Sequence, residues 1–309
     1  MMELEPKSQR IWGWPIAMYL FLGGLGGGCY LLGVLFDLFS SEPPVITRVG
    51  VVLGPPVVLM GVLFLVADLG KPTQAIRAIM RPTTSWISRG TMILTVFLLL
   101  GGIHILLWIW PLDGLAHSII ARKALGAAGG IFAFLTILYT GLLLGALRPI
   151  PFWCSPLLPV LFLVSGLSTA LMTIELGMAF MGAGEAHTSL SSIAMGSLHI
   201  PLLILEGVMV ALYLQTGQVL EAARASIRKI IRGELAFQFW MGFVLLGLIV
   251  PFVLAIFEQT VSFESLWLIL LKVVPGLIGG YLLRSLILAG GIQVSLNVQG
   301  ITVSPVTNR

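Results

Sequence analysis

Long apolar stretches alternate with short polar connections along nearly all of the 309 residues. Eight stretches are long enough to cross a bilayer, for which about 20 apolar residues suffice. They cover residues 15–38, 45–67, 90–110, 123–147, 156–181, 190–215, 235–257 and 266–289. The apolar runs are continuous rather than alternating, which argues against a membrane β-barrel. The pattern therefore predicts an all-α integral membrane protein, a single domain of eight transmembrane helices in two four-helix bundles.

A shorter segment, residues 219–232, has a different pattern. Its apolar residues recur at helical spacing, and Arg224, Arg228, Lys229 and Arg232 fall between them. This arrangement predicts an amphipathic helix in a cytoplasmic loop, lying at the membrane interface. A solvated basic loop is the alternative interpretation.

The composition narrows the class of protein. Hydrophobic residues make up 58% of the chain and charged residues 10%, far from the charge content of soluble domains, and little chain remains for a soluble catalytic domain. Cys29 and Cys154 stand apart with no CxxC motif, so we expect no metal site and no iron–sulfur cluster in this chain. Haem b would need facing histidines, but His104 and His199 fall at different depths. Electrons would have to be held by a partner or by a dissociable carrier.

Basic residues concentrate on one face of the membrane, the face that carries the N-terminus. We call this face side A and the opposite face side B. Most Lys and Arg residues fall in side A loops, so the positive-inside rule places both termini in the cytoplasm of a bacterial-type inner membrane. The basic pI of 9.3 follows from this topology and indicates no nucleic-acid partner. The first span lacks a cleavage site, so we expect it to be retained.

Six polar residues lie inside the apolar spans or at their ends: Tyr19, Asp68, Tyr139, His199, Glu206 and Arg284. An ionisable group at membrane depth costs about 2.5–3.5 kcal/mol on insertion scales, so it marks a candidate functional site. Counting about 1.5 Å per residue along each helix places five of the six in the half nearer side A, with His199 closer to the middle.

This group of side chains suits a quinone. Tyr139 can donate a hydrogen bond to a quinone oxygen, and Asp68 or Glu206 can accept a proton that quinol oxidation releases. Contacts with the quinone head group are predicted for Tyr19, Tyr139, His199, Arg284 and Trp14. Glu206, Glu175 and His104 are candidates for a proton path towards side B.

Structural interpretations remain open for each residue. Trp14 and Tyr19 could belong to an interfacial aromatic belt, and Asp68 could anchor the following loop. Tyr139 could bind a neighbouring helix, and His199 could stabilise its own helix near Pro201. Glu206 could form a purely structural pair with Arg284, while Glu175 and His104 could be interfacial or packed against other polar groups.

Several motifs resemble those of the NrfD/polysulfide reductase membrane-subunit family. They are WGWPIAMYLFLGGLGGG in the first span, DLGKP after the second, YTGLLLGALRPIPFW after the fourth, HIPLLILEG in the sixth and RSLILAGGIQ at the end of the eighth. The resemblance runs from the first span to the last. It implies two four-helix bundles and a site for a dissociable quinone such as menaquinone near the face of the N-terminus.

The resemblance also implies partners and roles. A ferredoxin-type iron–sulfur subunit would exchange electrons between the quinone and a catalytic reductase or dehydrogenase subunit, with proton translocation as an extension. Tyr139, Asp68 and Glu206 match the polar positions of the family. In the first helix, where some members carry polar side chains, this chain has Ile16 and Tyr19. A secondary transporter and a passive membrane anchor are the alternative functions.

Overall fold

The structure is a computed structural model. It describes residues 7–8, 12–40, 45–68, 86–107, 119–147, 149–181, 190–261, 266–293, 296–298 and 301–303. The loop that contains Lys71, Arg77 and Arg81 lies outside the described residues, as does Arg148.

Helices dominate the described residues, and eight of them are long and apolar enough to cross a membrane. Seven are α1 (Trp14–Leu38), α2 (Val45–Asp68), α3 (Trp86–Leu106), α4 (Ile119–Gly145), α5 (Leu157–Phe180), α6 (Leu190–Thr216) and α9 (Leu266–Ala289). The eighth, α8, is π-helical over Gln238–Ile249 and continues as an α-helix over Val250–Val261. The predicted all-α membrane fold is confirmed.

Two helices begin about four residues earlier than the apolar pattern suggests, because the charges in their first turns have partners. In α3 the guanidinium of Arg89 lies 5.0 Å from the ring centroid of Trp86. In α4 the ammonium of Lys123 donates to the carbonyls of Leu38 and Ser40, at 3.2 and 2.8 Å, at the end of α1. These contacts allow a helix to include residues that hydropathy alone assigns to a loop.

Helix α1 lies at the centre of the fold and packs against α2, α4, α5 and α9. Glycines permit this close approach: a Cβ atom on Gly28 would lie 2.7 Å from the carbonyl oxygen of Gly166 in α5, and one on Gly26 would lie 2.5 Å from that of Gly54 in α2. Small residues at such crossings replace side-chain bulk with backbone contact, which is how helices associate in lipid. The arrangement in two bundles stays a prediction.

A short helix, α7 (Glu221–Ile231), forms within the predicted amphipathic segment. Its apolar face, with Ala223, Ile227 and Ile230, is buried in the same core as Phe152. Lys229 donates to the carbonyl of Ala289 at 3.1 Å. The helix therefore packs on the protein as well as exposing a basic face, and its cytoplasmic location stays a prediction.

Short strands complete the described residues. Strand β1 (Lys7–Ser8) pairs antiparallel with β2 (Ile292–Gln293), which joins the segment before α1 to the segment after α9. Strands β3 (Leu296–Val298) and β4 (Ile301–Val303) form a second antiparallel pair. The sequence analysis did not anticipate these strands.

The crossing of α8 and α9 gives a first test. A Cβ atom on Gly279 would lie 2.2 Å from the Cα atom of Gly247, so Gly279→Ala must push two backbones apart. Overpacking of this kind costs about 1–3 kcal/mol, and we expect a lower thermal unfolding midpoint for the detergent-solubilised protein. Gly102→Ala in α3 is the control, because a Cβ atom there meets nothing within 4 Å. Equal midpoints for both variants would contradict the close crossing.

Candidate functional site

Arg284, a fully buried cation in α9, is bound on several sides. Its Nη1 donates to Ser165 Oγ in α5 at 2.5 Å and to the Gly280 carbonyl at 2.8 Å, and its Nη2 donates to the Phe162 carbonyl at 3.4 Å. A Cβ atom on Gly24 of α1 would lie 3.2 Å from Nη2. The glycine therefore leaves room for the guanidinium beside α1.

Glu206 in α6 completes this group. Its carboxyl group is buried, accepts hydrogen bonds from the hydroxyls of Ser165 and Ser168, and interacts electrostatically with Arg284. Ser165 thus lies between the acid and the cation. Hydroxyls both donate and accept, so the arrangement can hold a charge or pass on a proton. The sequence-based pairing of Glu206 with Arg284 matches this geometry.

Two buried phenols form a second group, on α1 and α4. Tyr19 is 1% exposed, and its hydroxyl has no hydrogen-bond partner among the described residues. Tyr139 is close enough to interact with it electrostatically. A Cβ atom on Gly90 of α3 would lie 1.7 Å from Tyr139 Cζ, so the ring lies directly against the backbone of α3. A buried hydroxyl without a partner is uncommon in folded proteins and points to a ligand.

A cleft of about 350 Å³ opens beside this pair. Its lining includes Trp86 on α3, one turn before Gly90, and Leu142 on α4, one turn after Tyr139. Pro156 and Pro159 at the start of α5 form much of the opposite wall. The volume falls within the range of small-ligand sites, roughly 300–1,000 Å³.

Two predicted residues lie at the side A rim instead. Asp68, the last residue of α2, is exposed. Trp14, the first residue of α1, is 63% exposed and packs edge-on against Phe64, with ring centroids 5.9 Å apart. Both could meet a ligand or partner that approaches from side A.

Helix α1 relates the two buried groups. A Cβ atom on Gly23 would lie 3.5 Å from a methyl carbon of Thr140 in α4, whereas the ring of Phe21 lies 5.9 Å from the Arg284 guanidinium. The phenols and the Glu206–Arg284 group therefore occupy different faces of one helix. The described residues show no hydrogen bond or ion pair that joins Tyr139, Asp68 and Glu206 to one another.

His199 and Glu175 belong to a third group, nearer side B. His199 Nε2 lies 3.5 Å from Glu175 Oε2, and Lys272 Nζ lies 2.5 Å from Glu175 Oε1. Lys272 also pairs with Glu258 of α8. Sequence analysis missed Glu258, although an acid close to the end of an apolar span was a visible signal. His199 does not contact the Glu206–Arg284 group.

His104 belongs to a fourth group, formed by α1, α3 and α4. Its Nδ1 lies 2.7 Å from the Tyr30 hydroxyl, and Asp37 and Arg122 interact with it electrostatically. Arg122 binds Asp37 through two nitrogens, each 3.0 Å from a carboxylate oxygen. Sequence analysis missed this buried ion pair because it assigned Arg122 to a loop. An acid in the last turn of one span and a cation beside the next side B loop could have indicated it.

No group of three or more His, Cys, Asp or Glu side chains suited to a metal ion occurs in the part of the protein that the structure describes.

Comparison with known proteins identifies relatives along nearly the whole sequence. A family model described as "Polysulphide reductase, NrfD" matches residues 3–296. Protein NrfD of Escherichia coli (strain K12) is 30% identical over 275 residues, which cover 79% of this chain and 84% of that protein. The C chain of polysulfide reductase from Wolinella succinogenes is 28% identical over 311 residues, covering 94% of this chain and 96% of that protein.

These matches confirm the resemblance that the motifs indicated. The eight apolar helices fit a multi-pass membrane protein, and the relatives include one subunit of a reductase complex. Since the family match extends from the segment before α1 to β3, this protein belongs to the NrfD family of polysulphide reductase-type membrane proteins.

Proposed function

We propose that this protein is the quinone-reactive membrane subunit of a multisubunit oxidoreductase. The observation that carries the proposal is the buried hydroxyl of Tyr19, which has no hydrogen-bond partner among the described residues and lies near Tyr139. Two phenols can donate to a carbonyl oxygen of a quinone head group, and the cleft beside Tyr139 has the volume of a small-ligand site. A quinone or menaquinone is the substrate, and it dissociates after the reaction.

The proposal assigns separate roles to the other side chains. Oxidation of a quinol releases two electrons and two protons. Glu206 exchanges a proton because it is a buried carboxyl group next to two hydroxyls and a fixed cation. Asp68 exchanges a proton with water at the side A rim, and Trp14 borders the entrance. Arg284 holds Glu206 in place through the shared hydroxyl of Ser165.

The electrons pass to a partner. We place a ferredoxin-type iron–sulfur subunit at side A, where α7 exposes Arg224 and Arg228 near the end of the bundle. A catalytic reductase or dehydrogenase subunit would follow it. The name of the Wolinella relative, which makes it one part of a polysulfide reductase, supports membership of such a complex. The bacterial inner membrane, with both termini in the cytoplasm, is the proposed location.

The phenols provide the first test of this function. Tyr19→Phe and Tyr139→Phe each remove one donor and keep the ring, so we expect quinol-dependent electron transfer to fall by on the order of 10²-fold. The measurement is quinol oxidation by the isolated complex, with co-purification of the partner subunits as the check on assembly. Tyr30→Phe is the matched control, because this buried tyrosine of α1 binds His104 and not the proposed site. Unchanged rates in both site variants would refute the assignment.

The same assay separates the alternative functions. A wild-type complex that assembles but oxidises no quinol would fit a passive anchor. Counterflow of a labelled solute in vesicles that contain this protein alone would fit a secondary transporter.

Glu206 gives an independent prediction. Glu206→Gln keeps the shape and can still accept from Ser165 and Ser168, but it cannot bind a transferred proton at its carboxyl oxygens. We expect kcat for quinol oxidation to fall by on the order of 10²-fold with little change in KM, because the loss affects proton transfer and not quinol binding. Glu221→Gln, an exposed acid of α7, is the control. A normal kcat in Glu206→Gln would place the proton acceptor elsewhere.

A further inference from the structure

Four ionisable side chains meet near side B, one from each of four helices. We call Glu175 (α5), His199 (α6), Glu258 (α8) and Lys272 (α9) the Lys272 cluster. Lys272 Nζ donates to Glu175 Oε1 at 2.5 Å and to Glu258 Oε2, and His199 Nε2 lies 3.5 Å from Glu175 Oε2. Glu175 therefore contacts both possible cations.

The charges of the cluster do not balance. Two carboxylates share one ammonium, which leaves one negative charge in excess while His199 is neutral. An uncompensated charge in a membrane interior is unfavourable by several kcal/mol, roughly. One further proton, bound by His199 or by a carboxylate, makes the cluster neutral. The contact between His199 and Glu175 lets that proton bind without a rearrangement of the helices.

Access to the cluster is one-sided. The side chains of Glu175 and Glu258 are 17% and 19% exposed, whereas those of Lys272 and His199 are 2% and 4% exposed. Glu258 lies three residues before the end of α8, and Lys272 lies six residues after the start of α9. At about 1.5 Å per residue, the carboxylates lie within two helical turns of the side B ends.

The inner end of the cluster points towards Glu206. His199 and Glu206 are seven residues apart on α6, which is about two turns and roughly 10 Å along one helix face. Between them α5 carries hydroxyls one turn apart: Thr169 bonds to the Ser165 carbonyl at 2.9 Å, and Thr173 bonds to the Thr169 carbonyl at 2.8 Å.

A buried apolar layer separates the two groups. Met172, Leu203 and Val273 form one core cluster beside the Lys272 cluster. An uninterrupted polar path would let protons leak across the membrane. Two proton-binding groups with an apolar layer between them can instead be loaded one after the other.

We propose that the Lys272 cluster is a proton-binding site that exchanges protons between Glu206 and side B, so that quinol turnover moves protons across the membrane. This inference rests on the proposed function. Oxidation of one quinol gives two electrons, which leave to the iron–sulfur partner, and two protons. Glu206 accepts a proton, the cluster binds it at the site of its excess charge, and Glu175 or Glu258 releases it at side B.

The Asp37–Arg122 group provides an internal contrast. One carboxylate pairs with one guanidinium, both are almost fully buried, and the charge is balanced. His104 and Tyr30 beside it are neutral partners in a hydrogen bond. This group needs no additional proton, and its residues serve as controls.

The decisive variant is Glu258→Gln. It removes the excess charge, keeps the side-chain shape and leaves Lys272 paired with Glu175, so the cluster is neutral without an additional proton. The complete complex is reconstituted in sealed vesicles with a pH-sensitive dye, and a short-chain menaquinol starts turnover. We expect quinol oxidation in the presence of an uncoupler to continue at the wild-type rate, and we expect the uncoupler-sensitive proton signal to be lost. Glu258→Asp, which keeps the charge, should restore that signal.

Each remaining outcome has a defined meaning. His104→Gln should retain the proton signal. Glu175→Gln removes the same excess charge and takes the place of Glu258→Gln if that variant fails to assemble. A wild-type proton signal in the carboxamide variant would overturn the inference. A wild-type complex that oxidises no quinol would instead refute the proposed function, so the two failures are distinguishable.

Discussion

The fold depends on one constraint: a charged side chain within a membrane span must find its partner on another helix. Lipid offers no compensation, and a partner lost from a buried ion pair destabilises by about 3–5 kcal/mol. The Asp37–Arg122 pair joins α1 to α4, and Arg284 joins α9 to α5. Lys272 joins α9 to α5 and α8. Since apolar side chains pack as well against lipid as against protein, these polar contacts specify which helices meet.

Close helix approach is the condition that makes such contacts possible. Arg284 reaches the interior because Gly24 has no side chain, and the ring of Tyr139 fits against α3 because Gly90 has none. A methyl group at either position would occupy the space of the functional side chain. The glycine-rich face of α1 therefore does more than pack helices, because it determines where the polar groups of α4 and α9 can lie.

Much of the fold could be predicted because hydropathy is a property of the sequence alone. Eight spans followed from apolar length, and the Glu206–Arg284 association followed from shared depth. Depth, however, does not give the rotation of a helix about its axis. Tyr139 and Glu206 lie at similar depth, yet they face different sides of α1. The Asp37–Arg122 pair was missed for a related reason, since a partner can draw a charged residue into a helix that hydropathy ends earlier.

Charge balance separates the two ionic groups near side B. Asp37 with Arg122 is a neutral pair, which is enough to hold two helices in register. The Lys272 cluster has a second carboxylate, Glu258, which adds repulsion with Glu175 unless a proton is bound. Replacement of buried ion pairs by apolar residues is often neutral or stabilising by about 1–4 kcal/mol, so stability does not require an unbalanced cluster. An excess charge close to side B, opposite a redox site at side A, is what a subunit needs if it is to take up protons released at one face and deliver them to the other.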